Sequence, residues 1–229
     1  MQVGGVYNND MSKSKQRKTD KGSGVILVED YYDNKSRRYR PVIILFKNRF
    51  FGMFEELGGG RNTNESLKRA AIREAQEESR NLFILSEDLL DDKKAVRVKN
   101  YVGYIVHIKG PADKNLNLRW YNYNKKIIDE YLDKVKPTKL EGAFNETVGI
   151  TRIYVDQLIK DGIYEAYGDF HTKDINNRKI KIFSRTKSVL RIAFDNDLID
   201  TDEYEELYES LYKSKQGKLF FLNKTQNYY

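Results

Sequence analysis

The sequence predicts an α/β fold, an α+β or layered α/β/α domain in which helices cover a β-sheet. Short β-branched apolar runs at residues 24–28 and 41–46 are typical of buried strands. Residues 64–80 then have a helical period, and strand-like and helix-like segments follow them. Because no clear linker separates these segments, a single layered domain is the expected arrangement.

The chain has 229 residues, and its first 21 differ in character from the rest. They are polar and contain a basic run with Lys13, Lys15, Arg17 and Lys18. We therefore expect a flexible basic tail at residues 1–21, followed by one domain over residues 22–229. Alternative interpretations of the tail are an RNA-contacting arm and a nuclear signal.

Further elements are expected after the helix at residues 64–80. Strand-like segments occur at residues 95–98, 101–108 and 148–155, and a helix start follows at Asp156. Residues 112–140 form an expected insertion, whose second half has apolar residues at helical spacing, Tyr123, Ile127, Tyr131, Leu132 and Val135. Two C-terminal helices are expected from the apolar faces Val189, Leu190, Ala193 and Phe194, and Tyr204, Leu207, Tyr208, Leu211 and Tyr212.

The composition excludes several classes of protein. Hydrophobic residues make up 39% and aromatic residues 13%, so the chain can form a sizeable core. The absence of cysteine excludes disulfides, thiolate metal sites and a cysteine nucleophile. No apolar run is long enough for a membrane span or a secretory signal, so the cytoplasm, or the nucleus, is the expected location.

The formal net charge is +7 at pH 7. This excess of Lys and Arg favours polyanionic partners such as RNA, nucleotides or inositol phosphates. The same charge is also compatible with an ordinary solvated surface. The oligomeric state is left open by the sequence.

The predicted helix at residues 64–80 changes character along its length. Asn64 is its expected N-cap. Its first turns carry a small apolar face, Leu67, Ala70 and Ala71. Its last turns carry acids, Glu74, Glu77 and Glu78. With 100° per residue, Glu74 and Glu78 fall within about 20° of Leu67, so the apolar stripe continues as a carboxylate stripe.

Three acids on one buried patch need a partner, because they repel each other and lose hydration. A divalent cation resolves this conflict, since Mg²⁺ accepts carboxylate oxygens. The alternative is a solvated helix with ordinary ion pairs, such as Arg73 with Glu77 at i,i+4. Three glycines at residues 58–60, expected to break regular structure, stand at a spacing that favours the site.

The residues also match a family signature, G-x5-E-x7-R-E-U-x-E-E-x-G-U, in which U is aliphatic. Gly59 is followed by Glu65 at the required spacing, and the remaining charged positions are filled by Arg73, Glu74, Glu77 and Glu78. The preceding residues 54–59, Phe-Glu-Glu-Leu-Gly-Gly, fit the same family. Over about 25 of its 229 residues the chain resembles the Nudix hydrolase superfamily. This resemblance implies an α/β/α sandwich, with the helical insertion and the C-terminal helices added to it.

Two positions depart from this signature. Arg80 stands where the family has glycine, and Asn81 stands where it has an aliphatic residue. The glycine ends the helix in a left-handed turn, and Asn81 tolerates such a turn as well. We therefore expect the cap to shift by one residue. The guanidinium of Arg80 is expected near the helix C-terminus, where positive charge is favourable.

The resemblance implies a Mg²⁺-dependent enzyme, or a Mn²⁺-dependent one, in which water attacks a phosphorus atom of a diphosphate linkage. The implied metal ligands are Glu74, Glu77, Glu78 and the backbone carbonyl of Gly59. Glu65 and Arg73 would then maintain the shape of the site.

Other candidates lie outside the signature. Relatives often use a further acid, for which Glu141 and Glu146 are candidates, although either is equally a plain loop acid. Lys47, Arg49 and Arg61 are candidates for binding substrate phosphates, or they are ordinary exposed charges.

Three functions remain open from the sequence. The first is hydrolysis of a pyrophosphate bond in the 5′ cap or 5′-diphosphate end of RNA, which the basic charge favours. The second is hydrolysis of diphosphoinositol polyphosphates or dinucleoside polyphosphates. The third is a non-catalytic Nudix binding module, against which the intact glutamates argue.

Overall fold

A computed structural model of the chain describes residues 20–108, 116–132 and 144–199. The expected basic tail up to residue 19 and the helix expected from Tyr204 onwards lie outside these residues. Within them, no helix is both long enough and apolar enough to cross a membrane.

Nine strands and four α-helices form the described part of the chain. The strands are β1 (Gly22–Asp33), β2 (Arg38–Asn48), β3 (Phe54–Glu55), β4 (Leu57–Gly60), β5 (Ala95–Val98), β6 (Tyr101–Ile108), β7 (Thr147–Tyr154), β8 (Phe170–Lys173) and β9 (Lys179–Ile182). The helices are α1 (Leu67–Glu78), α2 (Leu116–Leu132), α3 (Val155–Lys160) and α4 (Ser184–Asp195).

The described strands form one mixed sheet with the order β5-β6-β1-β2-β3-β9-β8. β4 also pairs with β1, and β7 also pairs with β2. β1 lies at the centre, antiparallel to β2 and β4 and parallel to β6. The two long strands β1 and β2 therefore connect both halves of the sheet.

The sheet is buried on both faces, which explains why its central strands are continuous apolar runs. One face packs on α1 and α2 through Val25, Leu27, Ile44 and Phe46. The other face packs on α3 and α4 through Ile26, Val28, Ile43 and Leu45. The architecture is an α/β/α sandwich, as the sequence predicted.

The strands predicted at residues 24–28, 41–46, 95–98, 101–108 and 148–155 are all present, within a few residues at their ends. The helix face at residues 189–194 is also confirmed, since Val189, Leu190, Ala193 and Phe194 are buried in α4. The short strands β3, β4, β8 and β9 were not predicted.

The insertion contains a helix, but its packing face differs from the expectation. α2 begins at Leu116, in the first half of the insertion. Tyr121 is fully buried and contacts Phe46 edge-to-face at 5.9 Å between ring centroids. Tyr123 and Ile127, predicted to pack on the domain, are about half exposed. The ring of Tyr121 helps to anchor the helix, with its hydroxyl 2.8 Å from the Thr147 hydroxyl.

Candidate active site

The helix α1 begins at Leu67, and its N-cap is Ser66, so the prediction of Asn64 was wrong. The Ser66 hydroxyl accepts a hydrogen bond from the backbone N–H of Arg69 at 3.1 Å, which satisfies one free donor of the first turn. Asn64 has a left-handed backbone, with φ of 65°, in the turn before the helix. The cap thus lies two residues further along the chain than expected.

The predicted stripe on α1 is confirmed by its burial. The apolar residues and the three acids all face the sheet, and the buried set is Leu67, Ala70, Ala71, Glu74, Ala75, Glu77 and Glu78. A helix with only solvated ion pairs would place its acids on the opposite face. The side chains of Glu74, Glu77 and Glu78 are therefore held inside the protein.

The three glycines do not break regular structure, because they form most of strand β4. Gly58 pairs with Gly24, and a Cβ on Gly58 would lie 2.0 Å from the Tyr101 hydroxyl. A Cβ on Gly59 would lie 2.6 Å from the carboxyl group of Glu74. These glycines serve close packing, which allows the carboxylate of Glu74 to lie directly on the strand.

Arg73 is the central cation of the site. Its guanidinium donates to Glu65 at 3.0 Å, to Glu74 at 2.8 Å and to Glu77 at 3.0 Å. It also donates to the backbone carbonyl of Gly60 at 2.8 Å. Arg73 thus connects the glycine strand, the turn before α1 and two of the buried acids.

Negative charge is energetically unfavourable on the buried acids of α1. Burial raises the pKa of Glu74 to about 7, although Arg73 opposes this, and Glu77 raises it further. Burial likewise raises the pKa of Glu77. Burial raises the pKa of Glu78 well above its usual range, and the nearby Glu55 and Glu74 add to the increase. A cation near these groups would stabilise their charged forms.

Two further acids approach the helix from other elements. Burial raises the pKa of Glu146, just before β7, and the charge of Glu77 raises it further. Burial also raises the pKa of Glu55 on β3, and its neighbours Glu56 and Glu146 contribute. Five carboxylates thus share one region, which we call the carboxylate cluster: Glu55, Glu74, Glu77, Glu78 and Glu146.

Glu55 was not among the predicted site residues. The sequence did point to Glu55, because this acid directly follows Phe54 in the segment before the three glycines, which fits the family signature. In the structure, the Asn48 side chain donates to Glu55 at 2.6 Å. Arg185, at the start of α4, donates to Glu56 at 2.6 Å and lies 3.5 Å from Glu55. The helix on the far face of the sheet therefore helps to fix the acids of β3.

The end of α1 differs from the expectation for Arg80. Arg80 and Asn81 both have left-handed backbones, with φ of 58° and 61°, so Arg80 itself adopts the conformation that a glycine would favour. Its side chain is fully buried and does not simply face the helix terminus. The guanidinium donates to the Thr147 carbonyl at 2.7 Å and lies 3.4 Å from Asp129 of α2.

Arg80 thus joins α1, α2 and β7 at one point. The Thr147 hydroxyl strengthens this junction, because it donates to the carbonyl of Glu78 at 2.5 Å. Asn124 of α2 donates to the Arg80 carbonyl at 2.8 Å. The C-terminal end of the acidic helix is therefore fastened to its neighbours directly beside Glu78.

The remaining predicted site residues fall into three groups. Lys47 and Arg49 are exposed near Glu146, whose backbone carbonyl accepts from the Arg49 N–H at 2.8 Å. Arg61 lies after β4 and is close enough to Glu65 to lower the pKa of that acid. Glu141 lies outside the described residues.

An aromatic pair lies beside the carboxylate cluster and was not predicted. Phe51 is 68% exposed, and its ring is parallel to that of Phe183, with 6.4 Å between centroids and 8° between planes. The turn that carries Phe51 is held by Asn48, whose side-chain oxygen accepts from the Phe51 N–H at 3.1 Å. Since Asn48 also binds Glu55, the exposed ring is positioned relative to the cluster.

In the residues that the structure describes, no three acidic, histidine or cysteine side chains converge as a group that could hold a metal ion. The contacts explain this arrangement. Arg73 binds Glu74 and Glu77, and the Gly58 N–H donates to Glu78 at 2.7 Å. Each of the three acids is thus directed towards a partner within the protein.

No protein-family model matches the chain, and no curated protein matches it in sequence. Among solved structures, the chain is similar to a C. elegans Ap4A hydrolase binary complex, with 13% identity and a TM-score of 0.39 over 76% of this chain and 95% of that chain. It is also similar to a MutT/nudix family protein from Enterococcus faecalis, with 11% identity and a TM-score of 0.40 over 94% and 83%. A Nudix hydrolase from M. smegmatis has 11% identity and a TM-score of 0.36 over 77% and 85%. At such identities these similarities give no residue a role.

Proposed function

We propose that this chain is a divalent-metal-dependent hydrolase of the Nudix type that cleaves a pyrophosphate bond. The observation that carries the proposal is the carboxylate cluster, in which burial raises the pKa of all five acids and repulsion between members raises the pKa of four of them further. A purely structural helix gains nothing from acids on its buried face. Such a cluster is the arrangement expected of a site whose function needs the charge.

The donors present fit a hard divalent cation such as Mg²⁺ or Mn²⁺. These donors are carboxylate oxygens and the carbonyl oxygen of Gly59. Oxygen atoms of these two kinds are the ligands that such ions prefer. Glu74, Glu77 and Glu78 would hold the ion, after leaving the partners that they have within the protein. When bound, the ion neutralises charge on the phosphate oxygens of the substrate.

Residues of the chain itself carry out the remaining steps of the reaction. Arg73 keeps Glu65, Glu74 and Glu77 together through its hydrogen bonds. Of the two cluster acids that lie outside α1, Glu55 is already bound by Asn48, whereas Glu146 has a raised pKa that suits a general base. A carboxylate oxygen of Glu146 accepts the proton of the attacking water, while the bond from phosphorus to the bridging oxygen breaks. Lys47 and Arg49 lie where they can bind the phosphate groups.

Metal dependence is testable without knowing the substrate. Millimolar Mg²⁺ is expected to raise the unfolding temperature by about 3–6 °C, because binding at tenfold excess over Kd stabilises the fold by about 1.4 kcal/mol. The measurement is thermal unfolding with Mg²⁺ or with EDTA. The Glu77→Gln protein should lose most of this shift. An equal shift in that variant would place the ion elsewhere.

For the substrate, we propose the 5′ end of RNA, as a cap or a 5′-diphosphate. Exposed aromatic rings support a nucleic acid over an inositol phosphate, whereas exposed cations suit both. A nucleobase stacks on an aromatic face such as that of Phe51, whereas an inositol ring has no π face. Trp120 and Tyr123 of α2 are also about half exposed. Arg37 and Lys126 add exposed positive charge away from the cluster.

Replacing Phe51 with Ala is expected to raise KM for a nucleotide substrate about tenfold and to leave kcat within about threefold, because stacking contributes about 1–3 kcal/mol per base. Steady-state kinetics measure both constants. Phe50→Ala is the matched control, since Phe50 is 72% exposed in the same turn, and we expect its KM to be nearly unchanged. Equal effects in both variants would argue against a base on Phe51.

A substrate panel tests the proposed reaction and substrate together. Capped RNA, 5′-diphosphate RNA, a dinucleoside polyphosphate and a diphosphoinositol polyphosphate are each incubated with the protein and Mg²⁺, and the products are identified. We expect the RNA substrates to have the highest kcat/KM, and RNA binding to weaken steeply with salt, with a log–log slope of about −0.7 per phosphate contact. Faster turnover of the inositol compound would favour that alternative. Absence of any turnover would leave a non-catalytic binding module.

A further inference from the structure

A second polar cleft lies at the opposite end of the long strands. It has a volume of about 670 Å³ and is lined by residues of β1, β2, β7, α3 and the turn between β8 and β9. Arg40 lies in this cleft, whereas Phe46, six residues along β2, pairs with Glu55 of the carboxylate cluster. Six residues of strand span roughly 20 Å, so the two sites are well separated. We call this second site the basic cleft.

The lining of the basic cleft is positively charged. Six of its residues are Lys or Arg and three are Asp. All three acids already bind a guanidinium that lines the cleft. Arg40 binds Asp156 at 2.6 Å and Asp33 at 3.1 Å, and Arg178 binds Asp174 at 2.6 Å. The excess positive charge therefore remains available to a ligand.

Two lysines carry this excess. Lys35, in the turn after β1, and Lys173, at the end of β8, are exposed and line the cleft. Neither has an ion pair within the residues that the structure describes, unlike Lys160, which binds Asp156 at 3.2 Å. Lys35 and Lys173 come from separate elements that line the same cleft. Both therefore add positive charge that an anionic group in the cleft can meet.

The floor of the cleft is rigid and partly aromatic. The rings of Tyr31 and Tyr154 meet edge-to-face at 6.0 Å, and the guanidinium of Arg40 lies 3.7 Å from the centre of the Tyr154 ring. Arg152 is buried there and binds the fully buried Glu29 at 2.7 Å. Arg40 and Arg152 are therefore held by partners within the protein, which leaves the exposed lysines to meet a ligand.

The rim adds groups that recognise the edge of a base. Asn34, Gln157, Asn176 and Asn177 line the cleft, and each has an amide that both donates and accepts hydrogen bonds. Lysines suit a phosphate, an arginine plane such as that of Arg40 suits a planar ring, and amides suit the polar edge of a base. The volume is in the range of roughly 300–1,000 Å³ that small-molecule sites occupy. Together these features match one nucleotide.

We propose that the basic cleft binds a nucleoside phosphate, at a site separate from the carboxylate cluster. The phosphate is held by Lys35 and Lys173, and the base meets the guanidinium of Arg40 and the amides. The ligand is either a free nucleotide or a single nucleotide unit of an RNA chain, which have the same chemistry. This proposal does not rest on the proposed hydrolase activity.

The test is equilibrium binding by calorimetry in EDTA, with ADP, adenosine and a five-nucleotide RNA as probes. We expect ADP to bind at least tenfold more tightly than adenosine. Charge reversal of both Lys35 and Lys173 to Glu should raise the Kd of ADP at least tenfold. The matched control reverses Lys93 and Lys94, two exposed lysines that do not line the cleft, and should change this Kd less than twofold.

Three binding results, and one kinetic result, would overturn the proposal. The first binding result is that neither ADP nor RNA binds to the unchanged protein. The second is that both double variants lose ADP binding equally. The third is that the Glu77→Gln protein no longer binds ADP. The Lys35 and Lys173 double variant should also keep its kcat/KM for a small pyrophosphate substrate within twofold. A parallel fall would place the cleft in the substrate path and contradict a separate site. If the RNA binds more tightly than ADP, the natural ligand is a nucleotide unit of an RNA chain. If the two bind equally, the natural ligand is a free nucleotide.

Discussion

Replacing Glu77 with Gln is expected to lower the turnover of a pyrophosphate substrate by about three orders of magnitude, which corresponds to about 4 kcal/mol of activation free energy. Gln has nearly the same volume as Glu but removes one ligand charge from the carboxylate cluster. The side chain of Glu77 is buried beside Arg73, and Glu146 approaches it from the residue before β7, so little water can reach the site to compensate for the lost charge. Glu78→Gln should have a similar effect.

The measurement is kcat for the purified variants in saturating Mg²⁺. Folding should survive, because removing one of several crowded acids relieves repulsion, and the unfolding temperature without metal should not fall. Glu130→Gln is the matched control, since Glu130 is an exposed helical glutamate paired with Lys126 on α2. Near-normal kcat in both Glu77→Gln and Glu78→Gln would show that the site is assigned wrongly.

Arg80→Gly, which restores the family signature, is expected to destabilise the fold by about 3 kcal/mol. The change leaves the buried Thr147 carbonyl without its charged donor, which costs about 1–3 kcal/mol, and removes a large buried side chain, which costs about 2–5 kcal/mol. Glycine recovers only about 1 kcal/mol by relieving the left-handed backbone at this position. For a domain of this size, the loss corresponds to a fall of roughly 6–12 °C in the unfolding temperature.

Thermal unfolding of Arg80→Gly and Asn81→Gly separates the backbone effect from the side-chain effect. Asn81 has the same left-handed backbone, but its side chain only accepts a hydrogen bond from Gln76. We expect Asn81→Gly to change the unfolding temperature by no more than about 3 °C in either direction. A stability of Arg80→Gly equal to that of the unchanged protein would mean that the buried contacts of Arg80 contribute only the roughly 1 kcal/mol that glycine recovers.

The acidic helix was predictable because its information is local. The signature is read from residue types at fixed spacing, and the helical period alone places Glu74 and Glu78 on the buried stripe. The cap was not resolved by the same reasoning, since Asn64 and Ser66 are both good N-cap residues. The choice between them depends on the turn before α1, where Asn64 takes a left-handed conformation.

The features that were missed depend on distant partners. The glycines of β4 became a strand because Gly22 and Gly24 on β1 allow the two backbones to approach. The burial of Arg80 depends on Thr147, 67 positions further along the chain. Strands β8 and β9 are four residues each and lie towards one edge of the sheet, so their pattern is too short to predict a strand.

The central strand also constrains how the molecule assembles. β1 forms a local hairpin with β2, but its parallel partner β6 aligns Gly22 with Tyr101 and Glu29 with Ile108. That pairing closes a loop of about 80 residues, whose entropy must be lost before the contacts form. Helix α1 lies within the loop and packs on β1 and β6. We therefore expect the β1–β2 hairpin to form early and the acidic helix to pack late, because contacts between residues that are distant in sequence form slowly. The crowded carboxylates then come together at a late stage of folding, when most of the apolar burial that offsets their repulsion is already in place.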